Sequence, residues 1–289
     1  MNKQSLQEAF SRITIWKKGE QRAPHKPLLL LYVLSEYKKG HQRFFDFGSE
    51  IQGPLLELLN SFGPSRRSHY PAMPFWRLQR DGFWSLKNAE RCSPRIGSKE
   101  PPKRELIDFG VAGGFDEAAY QLLKDKPKLL DKLAQYLLEA HFPESVQDII
   151  ANRLGFSLTE VRKERDPKFR QSVLRAYNYQ CAVCGYNLKH DCIPVGLEAA
   201  HIKWKQSGGP CSVNNGLALC SLHHAAFDMG AIAIDEHMKL LVSQGVNGNN
   251  IVERLFWDFA GKEIELPKNK GDYPQDSFIY WHHREVFRG

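Results

Sequence analysis

Two short-spaced pairs of metal-type ligands constrain this chain more than any other feature. Cys181-Ala-Val-Cys184 places two thiols on one tight turn, and Cys220-Ser-Leu-His223 repeats the spacing 36 residues beyond Cys184. Thiolate and imidazole in two close pairs suit a closed tetrahedral zinc site, so Cys181, Cys184, Cys220 and His223 are expected to hold a structural Zn2+. Buried free cysteines behave as small hydrophobes and need no such pairing. Whatever lies between the pairs must fold so that they meet.

That intervening stretch carries a second set of polar residues. His201 ends the run Leu197-Glu-Ala-Ala-His201, Asn215 follows, and His224 and Asp228 lie four residues apart, so on a helix they share one face. An imidazole and a carboxylate on one face can hold a divalent cation, while a separate imidazole takes a proton from water.

The order His201, Asn215, His224 between zinc-type pairs resembles the HNH (ββα-metal) nuclease family, and Gly208-Gly209 and Asn215-Gly-Leu-Ala-Leu219 match its loop and second strand. The resemblance implies that His201 is the general base and that Asn215 fixes the loop or orients the base. It makes His224 and Asp228 the ligands of a catalytic divalent ion, Mg2+ or Mn2+. Many members carry a metal-binding Asp or His just before the base. Here that position is Ala200, so Glu198 or water is expected to complete the ligand set.

The first half reads differently. Leu6, Phe10, Ile13 and Trp16 predict an amphipathic helix over 5–15, and Pro27 suits the first turn of an apolar helix over 28–37. A short strand is expected at Phe44–Phe47 and a helix at Ile51–Phe62. The segment Ser65–Arg77 mixes Arg66, Arg67, His69, Tyr70 and Arg77 with Pro71 and Pro74, which predicts a rigid loop rather than a helix. Phe75–Leu78 and Gly82–Leu86 then read as a hairpin.

Pro24-His25-Lys26-Pro27 with Tyr70-Pro71 and Pro74-Phe75-Trp76-Arg77-Leu78, over roughly residues 10–115, resembles the sulfur-binding domain of type IV, McrA-like restriction endonucleases; Gly113-Gly114-Phe115 fits the end of its pattern. The resemblance implies double-stranded, phosphorothioate-modified DNA as partner, with Tyr70, Pro71 and Pro74 forming an apolar cup for the sulfur. Sulfur is larger and a poorer hydrogen-bond acceptor than oxygen, and an ordinary phosphate in such a cup loses hydration without compensation. His25, Lys26, Arg66, Arg67 and His69 are then candidates for phosphate or base-edge contact. Arg91, Arg95, Lys103 and Arg104 lie in a basic Pro/Ser/Gly-rich loop suited to a groove.

The fold class expected is therefore α+β: a mainly helical DNA-reading domain with a small hairpin or sheet over 1–154, a charged linker over 155–168, and a zinc-stabilised ββα-metal domain over 169–289. Helices are expected at 116–124, 127–141, 143–154 and 169–177, and a strand pair after Asp228. His282, His283 and Arg284 in the tail are a further candidate DNA contact. Cys92, Cys192 and Cys211 have no evident role.

Charge fits this division. The net charge is +7. Residues 1–155 hold 24 Lys and Arg against 18 Asp and Glu, and the remainder 16 against 15, so the first part is expected to hold the polyanion. No apolar run reaches bilayer length, the first residues lack a signal-peptide pattern, and cysteine usage suits a reducing cytoplasm. One catalytic centre cuts one strand, so double-strand cleavage implies a homodimer. Two other readings remain open at this point: a nuclease directed to a methylated or hydroxymethylated base, and a non-catalytic zinc protein that binds DNA.

Overall fold

The computed structural model describes residues 2–16, 18–158 and 167–289. It is of mixed α+β class and forms two units, one comprising Met1–His141 with Asp148–Leu158 and the other Phe142–Gln147 with Thr159–Gly289. Residues 159–166 of the expected linker lie outside the described residues.

In the first unit, α1 (Lys3–Ser11) is capped by Asn2, whose side chain accepts from the Ser5 amide at 2.8 Å while the Ser5 hydroxyl accepts from the Asn2 amide. This capping box starts the helix earlier than the apolar pattern suggested. Helix α2 (His25–Lys38) is the centre of the unit. Leu28, Leu29, Leu30, Leu31, Val33 and Leu34 are all fully buried, so it is apolar around its whole circumference, as a helix enclosed by others must be.

A three-stranded antiparallel sheet of β1 (Phe45–Asp46), β2 (Trp84–Lys87) and β3 (Ala112–Phe115) packs beside it, with β3 in the middle. Gly113 and Gly114 are required there. A Cβ on Gly113 would lie 2.7 Å from the Phe75 ring, and one on Gly114 would lie 2.0 Å from the Arg43 carbonyl. Helix α3 (Gln52–Phe62) buries Leu55, Leu58, Leu59 and Phe62.

The segment after α3 departs from the sequence reading. Ala72–Arg77 is a helix, α4, and Phe75–Leu78 is not half of a hairpin. Pro74 falls in the first turn of α4, where an amide has no intrahelical acceptor, so the proline costs little. The strand partner of Trp84–Lys87 is β3, in register from Trp84↔Phe115 to Lys87↔Ala112. Phe75 is fully buried in the core, with its ring 5.0 Å from that of Phe47.

Helices α5 (Lys103–Asp108), α6 (Glu117–Asp125), α7 (Pro127–His141) and α8 (Glu144–Leu154) follow. Residues of α8 up to Gln147 cluster with the second unit and the rest with the first. No described helix is long and apolar enough to cross a membrane.

Two histidines of the first unit make it acid-sensitive. Burial, reinforced by the charges of His69 and Arg66, pushes His25 down to about 4, and burial alone does the same to His141. Both are therefore neutral in the fold but take up protons below about 6.5 when unfolded. Their contribution is complete above pH 6.5 and is lost as the pH falls toward 4, at about 1–3 kcal/mol each. Thermal melting of the first unit is expected to drop steadily between pH 7 and pH 4.5, and a flat profile would contradict the burial of these rings.

In the second unit, α9 (Pro167–Ala176) leads into the Cys181–Cys184 turn and the short hairpin of β4 (Lys189–His190) and β5 (Ile193–Pro194). Strands β6 (Leu197–His201) and β7 (Gly216–Cys220) pair antiparallel from Leu197↔Cys220 to His201↔Gly216. Helix α10 (Ser221–Asp228) follows at once and packs on them, which completes a ββα unit. Strands β8 (Ile232–Ile234) and β9 (Leu240–Val242) pair after it, and α11 (Asn250–Leu255) and α12 (Asp276–Glu285) close the unit.

Candidate functional site

In the first unit a cavity of about 580 Å³ opens where α3, the start of α4 and the segment before α5 meet. Tyr70, Pro71, Ala72 and Met73 form one wall, and His69, Arg95, Pro101 and Lys103 stand around it. Tyr70 is 66% exposed, unusual for a large aromatic side chain, and it sits immediately before α4, so packing does not account for it. Pro71 is buried against the helix start. Pro74 is also buried and does not line the cavity.

The other expected contacts are distributed less uniformly. Lys26 is nearly buried and ion-paired with Asp81, so its ammonium serves the interior rather than a surface contact. The His25 ring lies 5.6 Å from that of His69. Arg67 is exposed; Arg66 is half-buried and donates to the Ser65 carbonyl at 2.9 Å. Lys103 and Arg104 form the start of helix α5 rather than lying in a loop, and Arg104 pairs with Asp108 at 3.1 Å. Met73, Leu56 and Pro101 were not singled out from sequence. They belong to three separate segments, and only the fold brings them together.

In the second unit the ligand atoms of Cys181, Cys184, Cys220 and His223 all lie within 4.8 Å of one another. His223 Nε2–H donates to the Leu255 carbonyl at 2.8 Å, which leaves Nδ1 facing Cys220 Sγ at 3.1 Å and Cys181 Sγ at 3.6 Å. Such a second partner fixes the tautomer a metal-bound histidine needs. Hydrogen bonds from Cys184 and Cys220 hold the Cys181 thiol far below its ordinary value. Three thiols and one oriented imidazole are a donor set that fits zinc.

The helix bearing this cluster also positions the second set. His224 lies between two carboxylates: Nδ1 is 2.6 Å from Glu198 Oε2, and Nε2 is 3.1 Å from Asp228 Oδ2. Asp228 Oδ1 accepts from Trp204 Nε1 at 3.0 Å, and Oδ2 accepts from the Ser145 hydroxyl. Burial works against charging His224, but Asp228 and Glu198 outweigh it and raise the ring to about 9. The favoured cation there is the imidazolium itself, while Nε2 and Asp228 Oδ2, 3.1 Å apart, are the pair of donor atoms on one side of the ring that suits a divalent ion.

Asn215 is fully buried and braces the loop after β6. Its side chain accepts from the Lys203 amide at 2.8 Å and donates to the carbonyls of Lys203 at 3.0 Å and Pro210 at 2.9 Å. Gly209 makes this possible, since a Cβ there would lie 1.8 Å from the Lys203 carbonyl.

His201 takes a different position. Its cross-strand partner Gly216 faces α9, where a Cβ would strike Val173, and the His201 ring stacks on Phe169 of α9 at 4.0 Å. Strand alternation puts Glu198 on the opposite face, with α10. Cys211 Sγ lies 3.5 Å from His201 Nε2, a contact that nothing in the sequence signalled. Cys92 is half-buried and Cys192 exposed. In α12, His282 is core: its ring stacks on Phe227 at 3.7 Å and Nε2 bonds the Phe227 carbonyl. His283 stacks on Phe287, and Arg284 pairs with Glu285.

Residues 3–159, more than half of the chain, match the family profile of the ScoMcrA-like, DNA sulfur-binding domain. The chain belongs to that family. Residues 181–235 match the HNH endonuclease profile, and this sulfur-binding family member is accordingly an HNH-type DNA endonuclease. No curated protein matches the chain.

Among solved structures, the sulfur-binding domain of ScoMcrA complexed with phosphorothioated DNA is 19% identical, with a TM-score of 0.45 over 51% of this chain and 96% of that one. The type IV phosphorothioation-dependent restriction endonuclease ScoMcrA is 20% identical, with a TM-score of 0.44 over 61% of this chain and 40% of that one. The modification-dependent TagI restriction endonuclease is 22% identical, with a TM-score of 0.31 over 46% and 41% of the two chains. The chain thus spans well under half the length of these two endonucleases.

Proposed function

We propose that this chain is a modification-dependent restriction endonuclease whose first unit reads phosphorothioate linkages in double-stranded DNA and whose second unit hydrolyses a phosphodiester nearby. The observation that carries the reading is the cavity at Tyr70 and Pro71, apolar in its wall, with Arg95, Lys103 and the Arg77-paired Glu100 around it, in a domain of the sulfur-binding family. A sulfur atom gains dispersion contact with Tyr70, Pro71 and Ala72, whereas an oxygen in the same place is desolvated without a donor. His69, Arg67, Arg95 and Arg104 stand for backbone and base-edge contacts. Domain roles follow the expectation of a reader over 1–154, a connecting segment over 155–168 and a nuclease over 169–289.

Tyr70→Ala tests the cup. Binding to a duplex with one sulfur is expected to weaken about tenfold, and binding to the matched oxygen duplex about twofold or less. Equal losses on both duplexes would make Tyr70 a generic contact. Fluorescence anisotropy at fixed salt reads both.

In the nuclease unit, Cys181, Cys184, Cys220 and His223 are assigned to a structural Zn2+. His224 and Asp228 are assigned to a catalytic divalent ion, Mg2+ or Mn2+, with Glu198 holding the far side of the His224 ring. When bound, that ion would supply positive charge against the charge that builds on the phosphate during attack. Trp204 and Ser145 fix Asp228, so the pair is pre-organised. His201, held flat against Phe169, is assigned as the base that takes the proton from water, and Asn215 holds the loop that follows it.

By the resemblance to the HNH family, hydrolysis is expected to leave a 3′-hydroxyl and a 5′-phosphate. Each chain supplies one such centre, so a homodimer is proposed for double-strand cleavage, acting in the cytoplasm. His201→Ala is expected to lower cleavage at least a hundredfold while sulfur-dependent binding is kept. Retained cleavage would move the base role to another residue.

A further inference from the structure

The thiol of Cys211 stands beside the proposed base and has no part in the zinc cluster. His201 closes β6, and its ring is held by two contacts of different kinds. The Phe169 ring lies at 4.0 Å and 19°, a stack that sets the plane of the imidazole but lets it turn within that plane. Cys211 Sγ, 3.5 Å from Nε2, supplies what the stack lacks. A directional contact at one ring nitrogen fixes the turn, and with it which nitrogen carries the proton.

The loop that carries Cys211 is closed on both sides by one side chain. Asn215 accepts from the Lys203 amide at 2.8 Å, two residues after His201, and donates to the Pro210 carbonyl at 2.9 Å, directly before Cys211. Between these points the Gly208 amide donates to the Lys205 carbonyl and the Gly209 amide to the Trp204 carbonyl, each at 3.0 Å. Gly208 turns the chain at φ +81°, where glycine is needed. An exposed cysteine on an unbraced loop would not be held against a residue ten positions earlier; here the loop returns it there.

We infer that Cys211 is a positioning residue for His201: Nε2–H donates to the Cys211 sulfur, and the lone pair that takes the proton from water stands on Nδ1. Sulfur is a weak acceptor, so the contact orients the ring without competing for the proton being moved. As water attacks phosphorus, one water O–H bond breaks and its proton forms the Nδ1–H bond. The oxygen's electron pair forms the new P–O bond, and the bond to the leaving oxygen breaks. Cys211 exchanges no proton, and the imidazolium keeps Nε2–H on the sulfur. Asn215 thus acts on the base through Cys211. The inference rests on the assignment of His201 as the base.

The test uses the full chain with isotope-labelled histidine. At about pH 8, where an ordinary imidazole is neutral, long-range proton–nitrogen spectra separate the two tautomers; the His201 signal is the one missing from His201→Ala. Wild type is expected to show Nε2–H. Cys211→Ala should mix the tautomers and lower the cleavage rate at saturating DNA about tenfold, the worth of one orienting hydrogen bond, with binding changed less than about twofold. Cys211→Ser, whose hydroxyl oxygen accepts in the same place, should restore the tautomer and bring the rate within about threefold of wild type. Added to His201→Ala, Cys211→Ala should cost nothing further, because the thiol acts through the ring.

An Nδ1–H signal in wild type, an undiminished rate in Cys211→Ala, or a loss that persists in the His201→Ala background overturns the inference. So does a parallel loss of binding in Cys211→Ala, which would make the thiol structural. Normal cleavage by His201→Ala would remove the base assignment and this inference with it, whatever the tautomer. Cutting of sulfur and oxygen duplexes alike, with the Cys211 pattern intact, would sink the modification reading and leave the positioning role standing.

Discussion

Cys220→Ser is expected to abolish cooperative folding of the second unit. Cys220 is the last residue of β7 and the N-cap of α10, so it joins the strand pair to the helix bearing His224 and Asp228. Cys181 is fully buried, and His223 is tied to Leu255 across the unit, so the cluster links the Cys181–Cys184 turn, β7, α10 and α11. Structural zinc in small sites supplies about 10–16 kcal/mol of apparent binding energy at neutral pH. A domain of this size is stable by only about 5–15 kcal/mol. Loss of one thiolate therefore exceeds what packing alone can offset. Elemental analysis should find one zinc per wild-type chain and none in the variant, with residues 167–289 becoming susceptible to limited proteolysis. A variant with wild-type zinc content and protection would contradict the assignment.

His224→Ala is expected to reduce cleavage at least a thousandfold, about 4 kcal/mol of transition-state stabilisation, while binding of sulfur-bearing duplex changes less than twofold. Removing the imidazole leaves Glu198 and Asp228 in one cluster without the group that separates them. Asp228→Asn should be milder in folding terms, since the amide oxygen can still accept from Trp204 Nε1 while its NH2 donates to the Ser145 hydroxyl oxygen, yet it should also lose cleavage. If His224→Ala cut DNA normally, the cluster would be a structural ion pair and the active centre would lie elsewhere. Binding is measured on the same preparation, so a misfolded variant is distinguishable from an inactive one.

Much of the second unit was legible because its chemistry is local. The two ligand pairs have fixed short spacings, and the four-residue step from His224 to Asp228 specifies one helix face without tertiary knowledge. The apolar run at Leu28–Leu34 likewise announced a helix. The first unit resisted where proline and pairing choices depend on context. Pro74 reads as a helix breaker, but in the first turn of α4 its missing amide has no acceptor to lose. Trp84–Lys87 pairs with a strand almost thirty residues away, in preference to the adjacent segment.

Charged residues were the hardest to place. Lys26 looks like a DNA contact beside His25, and its use by Asp81 rests on a partner 55 residues distant. The Ser145 hydroxyl reaches Asp228 over 83 residues, and Glu100 reaches Arg77 over 23. No periodicity marks such pairs. They arise once the core is formed and a carboxylate is left inside that needs a donor. The placement of His201 on the α9 face follows the same logic: strand alternation is readable, but which helix covers which face is decided by Gly216 yielding space to Val173 and Phe169.

Under the proposed function, one exchanged backbone atom determines whether this chain engages DNA and cuts it. The most direct measurement incubates the full chain with Mg2+ or Mn2+ and two duplexes identical except for sulfur in place of one non-bridging oxygen, following binding and strand cleavage together. The account predicts tight binding and cleavage of the sulfur duplex and little of either on its oxygen twin. Equal binding and equal cutting of the two would contradict it.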